Sequence, residues 1–318
     1  MTNPGVKRDL ISVADLSSDL VPLLLRAHEM KEARRHGDLS STLIGTNLGM
    51  IFEKPSTRTR TSFEIAMNDL GGHAVYLAPK DMQLGRGETI ADTARVLSRY
   101  VDALVYRAHR HADMVELARW SSVPVINALD DREHPCQIVA DLLTLYERWN
   151  GAFRGRRLAY IGDGNNVLNS LLLGCAIVGL DLTSATPARY RPPAEVVNLG
   201  HALARHSGAR LEFVTSPMEA ARDADALYTD VWVSMGDEAE KAEREAAFQE
   251  YQINEDLVAA AKPDVWVLHD LPAHRGLEIT DAVMDGPRAA VWDQAENRLH
   301  AQKAILELVV SGRSPPRT

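Results

Sequence analysis

The sequence has little of what defines several large classes of protein. Its 318 residues include two cysteines, Cys136 and Cys175, too few for a disulfide framework and suited to a reducing compartment, the cytoplasm. Asp and Glu number 44 against 35 Lys and Arg, so a basic surface for nucleic acid is not expected. The most apolar stretch, residues 171–180, is far shorter than the ~20 residues that span a bilayer, and the N-terminal MTNPGVKRDL has no apolar core of a secretory signal. We therefore expect a cytoplasmic globular protein with no nucleic-acid or membrane partner.

What the sequence does contain is a regular alternation of strand and helix patterns. Short apolar, β-branched runs alternate with segments of helical spacing, which is typical of parallel sheets covered by helices on both faces. We expect about four strands before residue 135 and about five after it, and this length predicts two domains. The predicted fold class is α/β, with two doubly wound parallel-sheet domains joined by long helices. The predicted domains are residues 1–134 and 135–294, and a C-terminal helix within residues 295–318 packs back on the first domain.

The first loop that follows a strand has the chemistry of an anion site. In open α/β sheets, ligands bind beyond the carboxyl ends of the strands. Here an apolar strand leads into a helix start that reads Ser56-Thr-Arg-Thr-Arg60. Backbone N–H groups at a helix N-terminus and a guanidinium fork both favour a phosphate. The alternative is a helix cap followed by solvated arginines, but so many donors directly after a strand favour the phosphate site.

A second helix start combines a histidine with an amide. His134-Pro-Cys-Gln137 follows an apolar strand, and proline is favoured in the first helical turn. His134 is suited to donate to a carbonyl oxygen and Gln137 to recognise an amide. Cys136 is expected to be a packing residue.

A third loop, Gly162-Asp-Gly-Asn-Asn166, resembles the start of a dinucleotide-binding fingerprint. Asp181 stands near the distance at which such a fingerprint carries its ribose-binding carboxylate. The third glycine is missing, because Val167 occupies its position. A nicotinamide-dependent oxidoreductase therefore stays open as an alternative function.

Two later loops also follow strands. Thr229–Gly236 offers the Asp230 carboxylate and a hydroxyl, and the other contains His269-Asp-Leu-Pro272. Taken alone, each is also consistent with a solvated surface turn. Metal binding is not expected, because the histidines lack the spacing that places two ligands on one helix face.

Together these motifs resemble those of the ornithine carbamoyltransferases. They stand in the family's order and cover nearly the whole chain: Ser56-Thr-Arg-Thr-Arg60, Gln83-Leu-Gly-Arg-Gly-Glu-Thr89, His134-Pro-Cys-Gln137, Gly162-Asp-Gly-Asn-Asn166, Asp230 with Ser234-Met-Gly236, and Ala295-Glu-Asn-Arg298. The resemblance implies an N-terminal carbamoyl-phosphate domain and a C-terminal amino-acid domain. It also implies a homotrimer with shared active sites and no metal or organic cofactor.

The resemblance further implies roles for individual residues. The phosphate of carbamoyl phosphate would be held by Ser56, Thr57, Arg58 and Thr59. The carbamoyl group and the rest of that substrate would contact Arg107, His134, Gln137, Asp270, Leu271 and Arg298, with Gln83 reaching into the neighbouring subunit's site. The acceptor's α-carboxylate would be bound by Asn166 and its α-amino group by Asp230, Ser234 and Met235. The implied catalytic residues are Arg107, His134, Asp230, Asp270 and Arg298.

The chain departs from the family pattern at Asp270. The family loop reads His-Cys-Leu-Pro, and its cysteine lies beside the acceptor amine as a proton acceptor. A carboxylate there keeps an ammonium protonated, which opposes nucleophilic attack. If Asp230 lies close by, repulsion raises the pKa of one carboxylate and supplies a usable base.

Three hypotheses about function are therefore carried forward. The first is a carbamoyltransferase that converts ornithine to citrulline and phosphate, or that uses another amine or amino-acid acceptor because of Asp270. The second is the nicotinamide-dependent oxidoreductase. The third is a non-catalytic paralogue that keeps the anion site.

Overall fold

The computed structural model describes residues 7–84, 86–233 and 238–311. The predicted site residues Ser234 and Met235 lie outside these ranges. The chain divides into two compact units. Unit 1 comprises the residues up to Leu143 together with those from Asn297 onward, and unit 2 comprises Thr144–Glu296.

Unit 1 is built on a four-stranded parallel sheet in the order β2-β1-β3-β4. Its strands are β1 (Asn47–Phe52), β2 (His73–Leu77), β3 (Ala103–Arg107) and β4 (Val125–Leu129). Its helices are α1 (Leu20–Arg35), α2 (Thr57–Asp69), α3 (Ile90–Leu97), α4 (His111–Trp120) and α5 (Pro135–Arg148), the last of which continues into unit 2. Short 3-10 turns occupy Val13–Leu16 and Pro79–Asp81.

The central strands of unit 1 are apolar on both faces. In β1 every residue after Asn47 is buried, and β3 is buried throughout, which is the pattern of a parallel strand between two helical layers. From β1 the chain turns to β2 on one side and later to β3 on the other. A topological switch point therefore lies at the carboxyl ends of β1 and β3, where ligands bind in open α/β sheets.

The last helix, α12 (Val291–Ser311), completes unit 1 through buried polar contacts. Lys31 Nζ donates to Asn297 Oδ1 at 2.7 Å, and Lys303 Nζ lies 3.2 Å from Asp69 Oδ2. Arg26 forms an ion pair with Glu307. The division of the chain runs through α5 and α12, whereas the sequence places the first limit earlier, between residues 134 and 135, because a helix start is the visible signal.

Unit 2 contains a five-stranded parallel sheet in the order β7-β6-β5-β8-β9. Its strands are β5 (Arg157–Ile161), β6 (Asp181–Ala185), β7 (Leu211–Val214), β8 (Ala226–Thr229) and β9 (Trp266–His269). Its helices are α6 (Asn166–Val178), α7 (Ala194–Ser207), α8 (Pro217–Ala221), α9 (Lys241–Phe248), α10 (Glu255–Ala260) and α11 (Asp281–Met284), and it takes the first residues of α12. Short 3-10 turns occupy Ala188–Tyr190, Glu238–Glu240 and Gln249–Tyr251.

Helix α6 explains how the sequence positions the second site. Asn165 caps the helix by accepting N–H bonds from Val167 and Leu168, and the helix ends at Gly179, whose φ of +80° suits a glycine. Its residues are buried almost all round, so the helix start is fixed at the end of β5. Because β6 and β8 flank β5 on opposite sides, the second switch point lies at the ends of β5 and β8.

The predicted fold class is confirmed. Both sheets are parallel throughout, each is packed with helices, and two long helices, α5 and α12, carry the chain between the units. Within the described ranges, no helix is both long and apolar enough to cross a bilayer.

Candidate active site

The start of α2 is the place where the sequence predicts an anion site. Ser56 caps the helix by accepting the Thr59 N–H, and its hydroxyl donates to Thr59 Oγ1 at 3.0 Å. Thr57 is exposed and Ser56 half-buried, while Thr59 is fully buried. This is a helix N-terminus with hydroxyls at its first turn, at the end of a central strand, and such a site is suited to an anion.

Several buried polar atoms of unit 1 have no hydrogen-bond partner among the described residues. Among them are Nε of Arg58 and Oε1 of Gln137, whose Nε2 donates to Asp141 Oδ1 at 2.8 Å. A buried donor and a buried acceptor left open cost free energy unless a ligand or water binds them. Arg58 is suited to a phosphate oxygen, and Gln137 Oε1 is suited to an amide N–H.

Arg107 and His134 lie at the carboxyl ends of adjacent strands. Arg107 is the last residue of β3, paired in register with Phe52 at the end of β1. His134 directly precedes α5, in a loop organised by Asp130, whose Oδ1 accepts the N–H groups of Arg132 and Glu133. Both predicted side chains are at least 95% buried. The surrounding protein, and not solvent, therefore determines their positions.

Arg298 joins this group from α12. Its Nη2 donates to Thr59 Oγ1 at 2.5 Å, and the side chain is almost fully buried. Cys136, in the first turn of α5, packs in the interior; burial raises the pKa of its thiol to about 12. Its predicted packing role agrees with this environment. Gln83, by contrast, is exposed.

In unit 2, the ends of β5 and β8 are tied together by side chains. Asn165 Nδ2 donates to Asp230 Oδ2 at 2.6 Å, and the Val231 N–H donates to Asp230 Oδ1 at 2.6 Å. Thr229 Oγ1 donates to the Ile161 carbonyl at 2.6 Å. The predicted residue Asn166 is the first residue of α6 and is half-buried, so it lies where a helix favours a carboxylate.

Asp230 and Asp270 form a close carboxylate pair. Asp230 follows β8, Asp270 follows β9, and these strands are neighbours in register. Burial, followed by repulsion from Asp270, raises the pKa of Asp230 well above its ordinary value. Burial also raises the pKa of Tyr160, whose protonated hydroxyl donates to the Asp163 carbonyl at 2.9 Å.

Asp230, His269 and Asp270 each place one potential metal-ligand atom within 4.8 Å of the others. A cation there would compete with hydrogen bonds, because both oxygens of Asp230 accept N–H groups. The Nδ1 atom of His269 likewise accepts the Leu271 N–H at 2.9 Å. Two of the three potential ligands, Asp230 and His269, are therefore already engaged in bonds to the protein.

Gly164 is required by packing. A Cβ at this position would lie 2.2 Å from the Tyr190 carbonyl oxygen and 2.6 Å from Pro192 N. The Gly164 N–H donates to the same carbonyl at 2.8 Å. The glycine thus permits close approach of a neighbouring loop, and the fingerprint-like spacing needs no dinucleotide to explain it.

The sequence matches two family models that together span most of the chain. Residues 8–147 match the carbamoyl-P binding domain of aspartate/ornithine carbamoyltransferase, and residues 154–309 match its Asp/Orn binding domain. The chain belongs to the aspartate/ornithine carbamoyltransferase family. This membership and the packing role of Gly164 remove the basis for the oxidoreductase alternative.

Relatives in the family are similar over nearly their whole length. The chain is 55% identical to an ornithine carbamoyltransferase of Methanoculleus marisnigri, covering 96% of this chain and 98% of that one. It is 53% identical to a catabolic ornithine carbamoyltransferase of Thermoplasma volcanium, covering 96% and 99%. The solved ornithine carbamoyltransferase of Pyrococcus furiosus superimposes with a TM-score of 0.93 at 50% identity, covering 97% and 99%.

Sequence reasoning missed several residues that shape the site. Asn165, which was not among the predicted site residues, both caps α6 and donates to Asp230. Asp163 binds Arg244 Nη1 at 2.8 Å, and Glu278 is buried against His269. The cap of Asn165 was visible in the sequence as an Asn before an apolar helix. The partners of Asp163 and Glu278 have no local pattern that identifies them.

Proposed function

We propose that this chain transfers the carbamoyl group of carbamoyl phosphate to the δ-amine of L-ornithine, giving L-citrulline and phosphate. The observation that carries the proposal is the helix start Ser56–Thr59 with the buried Nε of Arg58, in a chain of this family. Relatives at 51–55% identity carry the name ornithine carbamoyltransferase, which supports ornithine as the acceptor.

We assign carbamoyl phosphate to unit 1. Ser56, Thr57, Arg58 and Thr59 bind the phosphate through hydroxyls, helix N–H groups and a guanidinium. The carbamoyl end is bound by Arg107, His134, Gln137 and Arg298, and Gln83 is contributed by a neighbouring subunit. Protein groups that donate hydrogen bonds to the phosphate and to the carbonyl oxygen stabilise the charge that develops on both as the bond to phosphate breaks. The open Oε1 of Gln137 supports its role toward the carbamoyl nitrogen.

We assign the acceptor to unit 2. Asn166, at the start of α6, binds the α-carboxylate, where the helix dipole favours a negative charge. Asp230 binds the α-amino group together with Ser234 and Met235. The bond from Asn165 to Asp230 supports this placement, since it fixes the carboxylate relative to the α6 start.

The chemical step requires a neutral amine. The δ-nitrogen donates its electron pair to the carbamoyl carbon, the bond from that carbon to the phosphate oxygen breaks, and phosphate leaves with that pair. After attack the nitrogen passes a second proton to the departing phosphate. The δ-ammonium must lose a proton before attack, and the Asp230–Asp270 pair is suited to accept it because its members disfavour two charges at once. In this proposal Asp270 takes the place of the family's cysteine.

A different amine acceptor is a second candidate, and Asp270 is the observation that favours it. A carboxylate in that loop can bind an additional cationic or polar group of another acceptor, one that ornithine does not have. In that case Asp270→Cys lowers activity on the true acceptor, because a buried partner is lost.

Phosphate release from carbamoyl phosphate, measured with a panel of amines and amino acids, tests both candidates. Efficient release with ornithine at neutral pH supports the first, and release with another amine but little with ornithine supports the second. No release with any amine, although carbamoyl phosphate binds, supports the non-catalytic paralogue.

We also propose a homotrimer with shared active sites. Gln83 is exposed in the single chain and therefore accessible to a second copy. Unit 1 also carries exposed apolar side chains, among them Val75 at 48% and Tyr100 at 72% exposure, which a neighbouring subunit would cover.

A further inference from the structure

His269, at the end of β9, is held in one tautomer. Its Nδ1 accepts the Leu271 N–H at 2.9 Å, and its Nε2 lies 3.1 Å from Glu278 Oε1. Burial lowers the pKa of the ring, but hydrogen bonds and charges of Asp270 and Glu278 outweigh it and raise the pKa to about 9. An Nδ1 that accepts the Leu271 N–H nevertheless carries no proton. In this bonded arrangement the ring is neutral, and its Nε2–H donates to Glu278.

Glu278 is a fully buried carboxylate. Its Oε1 accepts both the His269 ring N–H and the His274 backbone N–H. A buried carboxylate has a large desolvation cost, and replacement by an apolar residue is often neutral or stabilising. Its presence behind the site therefore calls for an explanation other than packing.

Leu271 has a backbone conformation that its side chain disfavours. Its φ is +63°, in the left-handed region, which costs an L-residue with a Cβ free energy relative to glycine. Such strained residues persist where surrounding contacts hold them, and they cluster at ligand-binding positions. The backbone N–H of Leu271 is the group that His269 Nδ1 accepts, so the contact that holds this residue leads back to Glu278.

We propose that Glu278 is a positioning residue which, acting through His269, holds Leu271 in the left-handed conformation and so fixes the Asp270–Leu271 segment of the site. The catalytic consequence rests on the proposed carbamoyl transfer, but the structural part does not. Glu278 touches no substrate in this scheme. Glu278 holds the His269 ring, and the ring holds the backbone N–H of Leu271. The backbone of Leu271 in turn sets the direction of the Asp270–Leu271 segment.

A stability experiment tests the structural part. Leu271→Gly and Leu271→Ala are compared by urea unfolding in three backgrounds: the parent, Glu278→Gln and Glu278→Leu. Glutamine keeps an oxygen that accepts both N–H groups, whereas leucine keeps volume and removes the acceptor. The unfolded-chain difference between glycine and alanine is the same in all three, so a change between backgrounds reports on the folded loop.

We expect the glycine variant to gain in urea midpoint relative to the alanine variant in the parent and in Glu278→Gln. The gain should disappear in Glu278→Leu, where the loop relaxes to a φ that alanine accepts. A gain of equal size in all three backgrounds overturns the proposal. If Glu278→Leu does not fold, Glu278→Asp serves in its place, because it withdraws the carboxylate from His269 and keeps the charge.

The catalytic part is read from the split between kcat and KM. Glu278→Leu should misplace the Asp270–Leu271 segment and so lower kcat about tenfold or more, while KM for carbamoyl phosphate changes less. Glu278→Gln should keep most of the parent's kcat. Asp225→Asn is the matched control: it removes a buried carboxylate of unit 2, bonded to Arg156 and Lys262 at the start of β8, and should lower the urea midpoint without lowering kcat.

The outcomes separate the two proposals. Suppose that Leu271→Gly is more stable than Leu271→Ala in the expected backgrounds, but that the protein transfers no carbamoyl group. That result overturns the proposed function and leaves the positioning role standing. An unchanged kcat in folded Glu278→Leu, in an active enzyme, overturns the positioning role.

Discussion

The carboxylates of Asp230 and Asp270 lie within 4.8 Å of each other at the carboxyl ends of two neighbouring parallel strands. Asp230 is 5% exposed, so water screens the repulsion poorly. Burial and this repulsion raise the pKa of Asp230 well above its ordinary value. The pair therefore titrates as one coupled site that disfavours two charges at once.

The first prediction concerns the stability cost of this pair. A carboxyl group whose pKa is raised by folding stabilises the protein below its unfolded pKa, about 3.9, and that contribution is lost as pH rises through the folded pKa. Asp270→Asn removes the repulsion, so we expect its free energy of unfolding to be ~1–2 kcal/mol larger than that of the parent at pH 7–8. The gain should shrink toward pH 4. Urea unfolding across a pH series measures it.

Asp225→Asn is the control of opposite sign. Burial alone would raise the pKa of Asp225, but hydrogen bonds from Arg156 and Lys262 outweigh it and lower the pKa. That carboxylate stabilises the protein above its unfolded pKa, so its removal should destabilise at pH 7. A gain for Asp270→Asn that is the same at every pH would show that charge repulsion is not its source.

The second prediction concerns the anion site. Arg58→Ala removes a buried charged donor from the phosphate, and we expect kcat/KM for carbamoyl phosphate to fall roughly 10²-fold. Arg60→Ala is the matched control two residues on, since Arg60 pairs with Glu64 and lies over the Tyr76 ring. Steady-state kinetics should show a small effect for Arg60→Ala. Equal effects of the two substitutions would contradict the assignment of Arg58.

The third prediction concerns the carbamoyl nitrogen. Gln137→Leu removes the buried Oε1 and should lower kcat/KM for carbamoyl phosphate by about 10- to 100-fold, because an N–H of the substrate loses its acceptor. Cys136→Ala, at the adjacent position, should cost about 1 kcal/mol of stability and leave the kinetics near those of the parent. Parent-like kinetics in a folded Gln137→Leu enzyme would remove Gln137 from the site.

The fourth prediction concerns subunit sharing. If Gln83 completes a neighbour's site, Arg58→Ala and Gln83→Ala each lower activity strongly in separate homo-oligomers. After mixing and subunit exchange, some sites receive both native residues, and partial activity should return. Exchange is followed with subunits carrying two different tags. Mixed oligomers that stay inactive would argue against shared sites.

The fold was largely predictable because its signals are local. Buried strands such as β1 and β3 are continuous apolar runs, and Ser56 and Asn165 mark helix starts. The loops after these strands follow from the rule for open sheets, which predicts a role for Asp230, whereas only the family resemblance implies the role of Arg107. The boundary between the two units within α5 was not predicted, because the helix continues across it without a local signal.

The contacts that orient the site were less predictable. Glu278 lies beyond β9 in a segment without periodicity, and only the folded chain places it against His269. Arg244, on α9, reaches Asp163 after a long separation in sequence. Neither pair has a helical or strand period that links its members. Only knowledge of the tertiary structure identifies them.

The assignment of Asn297–Ser311 to unit 1 also sets an order of assembly during synthesis on the ribosome. Unit 2 is continuous from Thr144 to Glu296, so its chain is complete before the residues that supply Arg298 emerge. The helix start at Ser56 is synthesised early, yet its Thr59 hydroxyl gains the Arg298 partner only when translation is almost finished. A nascent chain stalled just after Glu296 therefore contains all of unit 2 but lacks the last segment of unit 1.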